Sequence, residues 1–298
     1  MKVLITGKGG QLACELEQLS PKGFEVISVG RNELDITNEK KVAYFIAKNK
    51  PHLVINTAAY TAVDQAESDS ENAYAVNELG IKYLAQACKK IDARILHIST
   101  DFIFDGVTAT PYQTDAQPNP LNVYGASKLA GELALNEILP EASVIVRTAW
   151  VYSVNGNNFV KSMLRLMQAP PQLGVVYDQV GTPTWAKGLA QWLWTVAGKQ
   201  EITGTYHWTD AGVASWYDFA IAIQELALEK GLLDKTIPVL PIPATAYPTP
   251  AKRPAFSVIG KNSAEAVSGL KTVHWRKQLS LMLDEFIIIN NKNHIVEK

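Results

Sequence analysis

The feature that most constrains this chain is its opening. A short apolar run, Lys2 to Ile5, stops at Gly7-Lys8-Gly9-Gly10 and restarts at once as a helix-like segment, Gln11 to Leu19, with Leu12, Leu16 and Leu19 on one side. A strand that turns on glycines into a helix is the first half of a β-α-β unit. The alternation then continues. Strands are expected at Phe24 to Val29, Leu53 to Asn56, Arg94 to Ser99 and Ser143 to Arg147. Helices are expected at Glu39 to Lys48, Asn72 to Cys88 and Asn122 to Asn136. Strands that are apolar throughout, separated by amphipathic helices, predict an α/β protein whose doubly wound parallel sheet is covered on both faces, a Rossmann-type architecture.

The pattern changes after about Arg147. Six of the seven tryptophans lie from Trp185 onward, and six prolines crowd Pro238 to Pro254. That proline density forbids a continuous helix or a central strand there. Helical periodicity returns at Phe159 to Met167, Trp185 to Val196, Trp216 to Lys230 and Leu279 to Ile289. Residues 1–148 are therefore expected to form a dinucleotide-binding domain. Residues 149–298 are expected to form mainly a smaller, irregular α/β substrate domain, with the Val175 to Tyr177 run as a candidate strand returning to the main sheet.

Composition closes off several classes of function. The 298 residues carry a net charge of -1, which argues against a broad nucleic-acid footprint. Only Cys14 and Cys88 are present, so neither a disulfide framework nor a zinc-type spacing is expected. No run approaches the roughly 18 apolar residues of a membrane span, and the start lacks the parts of a signal peptide. These readings predict a soluble, cytoplasmic protein with neither nucleic acid nor membrane as partner.

The glycine turn lies where a pyrophosphate would bind. Gly7 permits the tight turn, Gly10 lets the backbone approach phosphates, and Ala13 takes the close-packing position. The pattern is Gly-x-x-Gly-x-x-Ala rather than strict G-x-G-x-x-G. Free N–H groups at the helix start would face the anion. After the second strand comes Arg31, placed either to read a 2′-phosphate, which would favour NADPH over NADH, or simply to face solvent. Asp35 is an alternative contact on the adenine side. The small residues in Asn56-Thr57-Ala58-Ala59-Tyr60-Thr61 would let a cofactor lie against the backbone, or pack tightly without one.

Ser99-Thr100-Asp101 ends a strand, where ligands collect in open α/β sheets. A hydroxyl from Thr100 or Ser99 could stabilise negative charge on a carbonyl oxygen. Asp101 either faces the substrate with Thr100 or caps the following turn. Tyr124-Gly125-Ala126-Ser127-Lys128 places a phenol and an ammonium one helical turn apart. At about 4 Å and an effective dielectric of about 20, two unit charges interact by roughly 4 kcal/mol. That is at most about 3 pKa units, enough to draw a phenol from its reference of about 10 toward neutrality. The expected chemistry is hydride transfer with Tyr124 as proton donor, and Lys128 lowering its pKa and binding the nicotinamide ribose.

With these motifs in this order the chain resembles the extended short-chain dehydrogenase/reductases, and among them the dTDP-4-dehydrorhamnose reductase family. The more specific stretches are GKGGQL from Gly7, TAAYTAVDQAES from Thr57, STDFIFDG from Ser99, PLNVYGASK from Pro120, RTAWVY from Arg147, GNNF from Gly156 and AYPTPAKRP from Ala246. General reductase motifs account for the first, third and fourth; the others point to this subfamily. The resemblance implies NADPH- or NADH-dependent reduction of the C4 ketone of dTDP-4-dehydro-L-rhamnose. It favours Thr100 over Ser99 and sets Thr100, Tyr124 and Lys128 as the catalytic residues. It puts Gln11, Leu12, Asp35, Ile36, Ala58, Ala59 and Thr61 on the cofactor, and Trp150, Asn158 and Arg253 on the sugar nucleotide. Arg253 would read the diphosphate bidentately, and Trp150 would stack on a ring or fill the core.

Some relatives in that family use a dimer bridged by magnesium between glutamates. Glu15 matches one such position, but Lys187 stands at another, and an ammonium repels Mg2+. The departure argues against the metal and leaves monomer or homodimer open. Two rivals remain. An epimerase of the same fold would hold NAD tightly, while a dehydratase is disfavoured because Phe102, not glutamate, follows Asp101. A non-catalytic regulatory subunit, like that of methionine adenosyltransferase, would keep the fold without turnover.

Overall fold

The computed structural model describes residues 1–169 and 171–296. Its first half runs β1 (Lys2–Thr6), α1 (Gln11–Gln18), β2 (Glu25–Val29), α2 (Glu39–Asn49), β3 (Leu53–Asn56), the short α3 (Val63–Ala66) and α4 (Ser70–Tyr74), α5 (Gly80–Lys89), β4 (Arg94–Thr100), α6 (Val123–Ile138) and β5 (Ser143–Thr148). The second half adds β6 (Val151–Tyr152), α7 (Phe159–Leu166), β7 (Leu173–Val176), β8 (Val180–Gly181), β9 (Thr184–Trp185), α8 (Ala186–Ala197), β10 (Gly204–His207), β11 (Ala214–Ser215), α9 (Trp216–Glu229), β12 (Val239–Ile242), α10 (Asn262–Ser268) and α11 (Trp275–Val296).

Six strands form one parallel sheet in the order β10-β5-β4-β3-β1-β2. From β1 the chain moves outward to β2 and then returns to β3 on the other side. The sheet therefore changes direction between β1 and β3, the crevice where ligands bind in such folds. The period-2 alternation of each strand sends side chains to two separate cores. Val3, Ile5, Leu53, Ile55, Leu96, Val144 and Val146 pack against α1 and α8. Leu4, Val54, Ile95 and Ile145 pack against α2, α5 and α6. A third core, with Phe219, Ile223, Leu279 and Met163, joins α7, α9 and α11 in the second half.

Two expectations are corrected. Val175 does not return to the main sheet: β7 pairs in parallel with β12 as a separate two-stranded sheet. The strand that does return is β10, which extends the sheet beside β5. Its neighbour α8 packs on the same sheet, so residues beyond 148 complete the sheet and core of the first half. The helix expected over Asn72 to Cys88 is also interrupted by a π-helical turn at Ala75–Leu79. Among the described residues no helix is long and apolar enough to cross a membrane.

Candidate active site

One cleft, of about 870 Å3, crosses the carboxyl ends of β1, β3, β4 and β5. Its floor begins at the glycine turn. Gly7 has φ +83°, and a Cβ there would come within 2.7 Å of Thr57 Oγ1 and 2.8 Å of the Ala58 nitrogen. Only glycine fits, because the turn after β1 presses on the loop after β3. Gly10 caps α1 with no side-chain hydrogen bond, so the amides of the first turn stay open to an anion. The cradle, the open helix start and the length of the cleft fit a dinucleotide.

Gln11, Leu12, Asp35, Ile36, Ala58, Ala59 and Thr61 all line this cleft with Gly7, Gly10 and Arg31. The Arg31 side chain is 82% exposed and sits 3.6 Å from Asp35. Asp35 accepts from the Thr37 hydroxyl and amide, and those bonds, with Arg31, hold its carboxyl below the usual range. An ionised Asp35 thus restrains an otherwise free guanidinium at the end of β2.

Another part of the cleft is built by β4 and α6. Thr100 is the last residue of β4, and its hydroxyl accepts from the Phe102 amide. Asn122 caps α6 by accepting from the Gly125 amide at 2.8 Å. Gly125 is required because a Cβ there would collide with the Phe102 carbonyl. This contact presses α6 against the loop after β4 and brings Tyr124 to Thr100. Thr100, Asp101, Tyr124 and Lys128 line the same cleft.

The electrostatics differ from the sequence expectation. Burial pushes the Tyr124 phenol up to about 12, with the Thr100 hydroxyl pulling the other way and Asp101 adding to the rise. Lys128 does not lower it here. Its ammonium is 2% exposed and donates to the Ile98 carbonyl at 2.6 Å, with His97 Nε2 at 3.5 Å. Burial brings Lys128 down to about 8, while Glu132 opposes the fall. Desolvation is the largest influence on both groups. Asp101 is also raised by burial, to about 6, and its Oδ2 has no partner among the described residues.

The three expected substrate residues fare differently. Trp150 lines the cleft with φ +49°, a conformation rare for a bulky residue. Its indole does not offer a free stacking face. Trp216 stacks on it at 3.5 Å, and Gly181 lies so close that a Cβ would reach within 2.6 Å of Cε2. The Asn158 side chain is committed inside the protein. It caps α7 through Lys161, and donates to Gln11 Oε1 at 3.0 Å and to the Ser153 carbonyl at 2.7 Å. Its neighbour Asn157 lines the cleft instead. Arg253 does reach the cleft, and also a small recess it shares with Phe102, Trp150 and Trp216.

At the candidate metal position Lys187 Nζ lies 2.5 Å from Glu285 and 5.0 Å above the Trp185 ring. Glu15 is fully buried, accepts from Ser153 at 2.6 Å, and is raised by that burial. Glu285 is already paired with an ammonium, and no group of three or more His, Cys, Asp or Glu side chains converges among the described residues. The residues present do not fit a divalent ion.

The sequence reading missed several supports. Asn77, in the π-helical turn, accepts from the Tyr60 amide and donates to the Tyr60 carbonyl and the Ser127 hydroxyl. It ties the loop after β3 to α6. Glu132 and Arg147 form a buried pair at 2.8 Å behind Ser99, whose hydroxyl donates to Glu132. The only available signal was the spacing of Glu132, one further turn beyond Lys128.

Comparison with known proteins decides the family. Residues 1–288 match the model described as RmlD substrate binding domain. A dTDP-4-dehydrorhamnose reductase of Aggregatibacter actinomycetemcomitans is 42% identical over 285 residues, 93% of this chain and 97% of that one. The chain belongs to the dTDP-4-dehydrorhamnose reductase family. Among solved members, the Clostridium acetobutylicum reductase superimposes with TM-score 0.90 at 42% identity, covering 95% of this chain and 99% of its own. The Bacillus anthracis reductase, solved in complex with NADP, gives TM-score 0.89 at 35% identity, with coverage of 95% and 99%. The span matched by the family model, residues 1–288, includes every residue of the cleft from the glycine turn to Arg253.

Proposed function

We propose that this chain reduces the C4 ketone of dTDP-4-dehydro-L-rhamnose to dTDP-L-rhamnose, with NADPH as the preferred reductant and NADH as the alternative. The observation that carries the reading is one uninterrupted cleft joining the Gly7 turn to Thr100, Tyr124 and Lys128. When bound, the reduced nicotinamide supplies a hydride to the ketone carbon. The chain's residues handle the oxygen. Thr100 donates a hydrogen bond to it, which matters most as the oxygen gains negative charge. Tyr124 gives that oxygen its proton, so that hydride plus proton make the alcohol. A phenol at about 12 is fully protonated near neutrality, so the proton is in place, but it is held more tightly than by a general acid matched to the working pH. Lys128, held by the Ile98 carbonyl at the edge of the cleft, would bind the nicotinamide ribose through its ammonium. Arg31 at the end of β2 would take the 2′-phosphate of NADPH, and Arg253 the diphosphate of the sugar nucleotide.

NADPH oxidation by the purified protein tests the reading, with dTDP-4-dehydro-L-rhamnose, dTDP-4-dehydro-glucose and UDP-linked ketosugars compared as substrates. Fast oxidation with the first alone is the expected result. NAD retained through gel filtration, with no net oxidation, would favour an epimerase. No turnover with any ketosugar would favour a regulatory subunit.

A further inference from the structure

Two subfamily-specific stretches, TAVDQAES and AYPTPAKRP, are far apart in the chain and are not explained by hydride transfer. In the structure they meet. Arg253 Nη1 donates to Asp64 Oδ1 at 2.9 Å, and Nη2 donates to Asp64 Oδ2 at 2.7 Å. The Ala251 amide donates to the same carboxylate at 3.2 Å, and Arg253 Nη1 also donates to Thr249 Oγ1 at 2.6 Å. Other specific stretches hold the same loop. Asn122 Nδ2 donates to the Lys252 carbonyl at 2.8 Å. Gly106, at φ +80°, lies where a Cβ would come within 2.8 Å of Pro254 Cβ and the Ala255 nitrogen.

The clasp also reaches the catalytic helix. Glu67, one residue beyond α3, accepts from the Val123 amide at 2.8 Å, beside Tyr124. The segment 64–67 therefore holds Arg253 by one carboxylate and the start of α6 by another. Asp64 occupies the end of the guanidinium, its Nη1–Nη2 edge. The side edge, Nε–H and the second Nη2–H, has no protein acceptor among the described residues. Those two parallel donors suit a phosphate fork. Arg253 lines both the main cleft and its recess.

We infer that Asp64 is a positioning residue for the sugar nucleotide: it turns the free edge of Arg253 into the cleft, in register with Tyr124. The inference rests on Arg253 being the diphosphate partner. A carboxylate that merely neutralised Arg253 would weaken diphosphate binding, whereas one that orients it strengthens binding. The two differ in the sign of the effect of its removal.

The test is a double-mutant cycle on the full chain. Asp64→Asn should raise KM for dTDP-4-dehydro-L-rhamnose by about tenfold, leave kcat within about threefold, and leave the NADPH Kd unchanged. Arg253→Met should raise KM at least as much, and adding Asp64→Asn to it should change nothing further. Thr249→Val, which removes a second support without touching the charge, should raise KM by about threefold and serves if Asp64→Asn folds poorly. An unchanged or lowered KM in Asp64→Asn overturns the inference, and so do additive effects in the double variant. An unchanged KM in Arg253→Met would instead remove the diphosphate assignment, and the inference with it.

Discussion

Burial holds the Tyr124 phenol protonated at any pH near neutrality, so the supply of its proton does not limit the acid side of the reaction. The basic side is set elsewhere. Lys128, brought down to about 8, is an ammonium below that pH and a neutral amine above it. The expected kcat/KM profile is flat through neutrality and falls as pH rises past about 8, because the ammonium that would hold the cofactor's ribose is lost. In Lys128→Met the whole rate should be lower and this limb should vanish. A parent profile still flat at pH 10 would show that the ammonium plays no part. Tyr124→Phe keeps the edge contact with Phe102 and loses only the O–H. Turnover should drop by about 10²–10⁴-fold, the usual scale of general acid catalysis, while NADPH affinity measured by fluorescence titration stays put. The roles proposed for Tyr124 and Lys128 rest on their spacing, but their pKa values do not follow from it. Whether desolvation or pairing wins depends on how deeply tertiary packing buries each group, and Lys128 is turned to the Ile98 carbonyl by a strand outside its own helix.

Among the elements, α6 depends most on close approach. A Cβ on Gly131 would run into the Asn77 carbonyl of the π-helical turn. Gly131→Ala should therefore cost about 1–3 kcal/mol through overpacking, despite alanine's better helix propensity. At roughly 2–4 °C per kcal/mol for a chain of this size, the loss is readable in a thermal melt. Leu133→Ala, on the exposed side of the same helix, is the control and should leave Tm nearly unchanged. The strands and helices of the first half were legible because each carries its own period. The π-helical turn was not, since Ala75 to Leu79 contains no breaker and its register is set by Asn77 reaching Tyr60 and Ser127. Strand β7 was legible as a strand but not as to its partner, because β12 lies more than sixty residues away and both are short apolar runs. Strand β10, with Gly204 and His207, is too short and too polar to announce itself.

For the molecule as a whole, the position of β10 bears on how the chain must be made. The parallel sheet acquires its last strand only after α7, α8 and four small strands have left the first half. During synthesis, β5 stays an open edge until residue 207 emerges, with Val144 and Val146 awaiting the tryptophans of α8. An uncovered parallel edge with an apolar face is prone to pair with another chain. A fragment ending at residue 148 should therefore aggregate on expression, even though it contains the glycine turn, Tyr124 and Lys128. One ending at residue 210 should stay in solution for longer, as followed by light scattering. A monodisperse 1–148 fragment that binds NADPH would show that the first half closes without its late strand. Otherwise the first half is not a module that could be cut out, swapped or inherited by itself: its last wall is delivered by the second half of the chain.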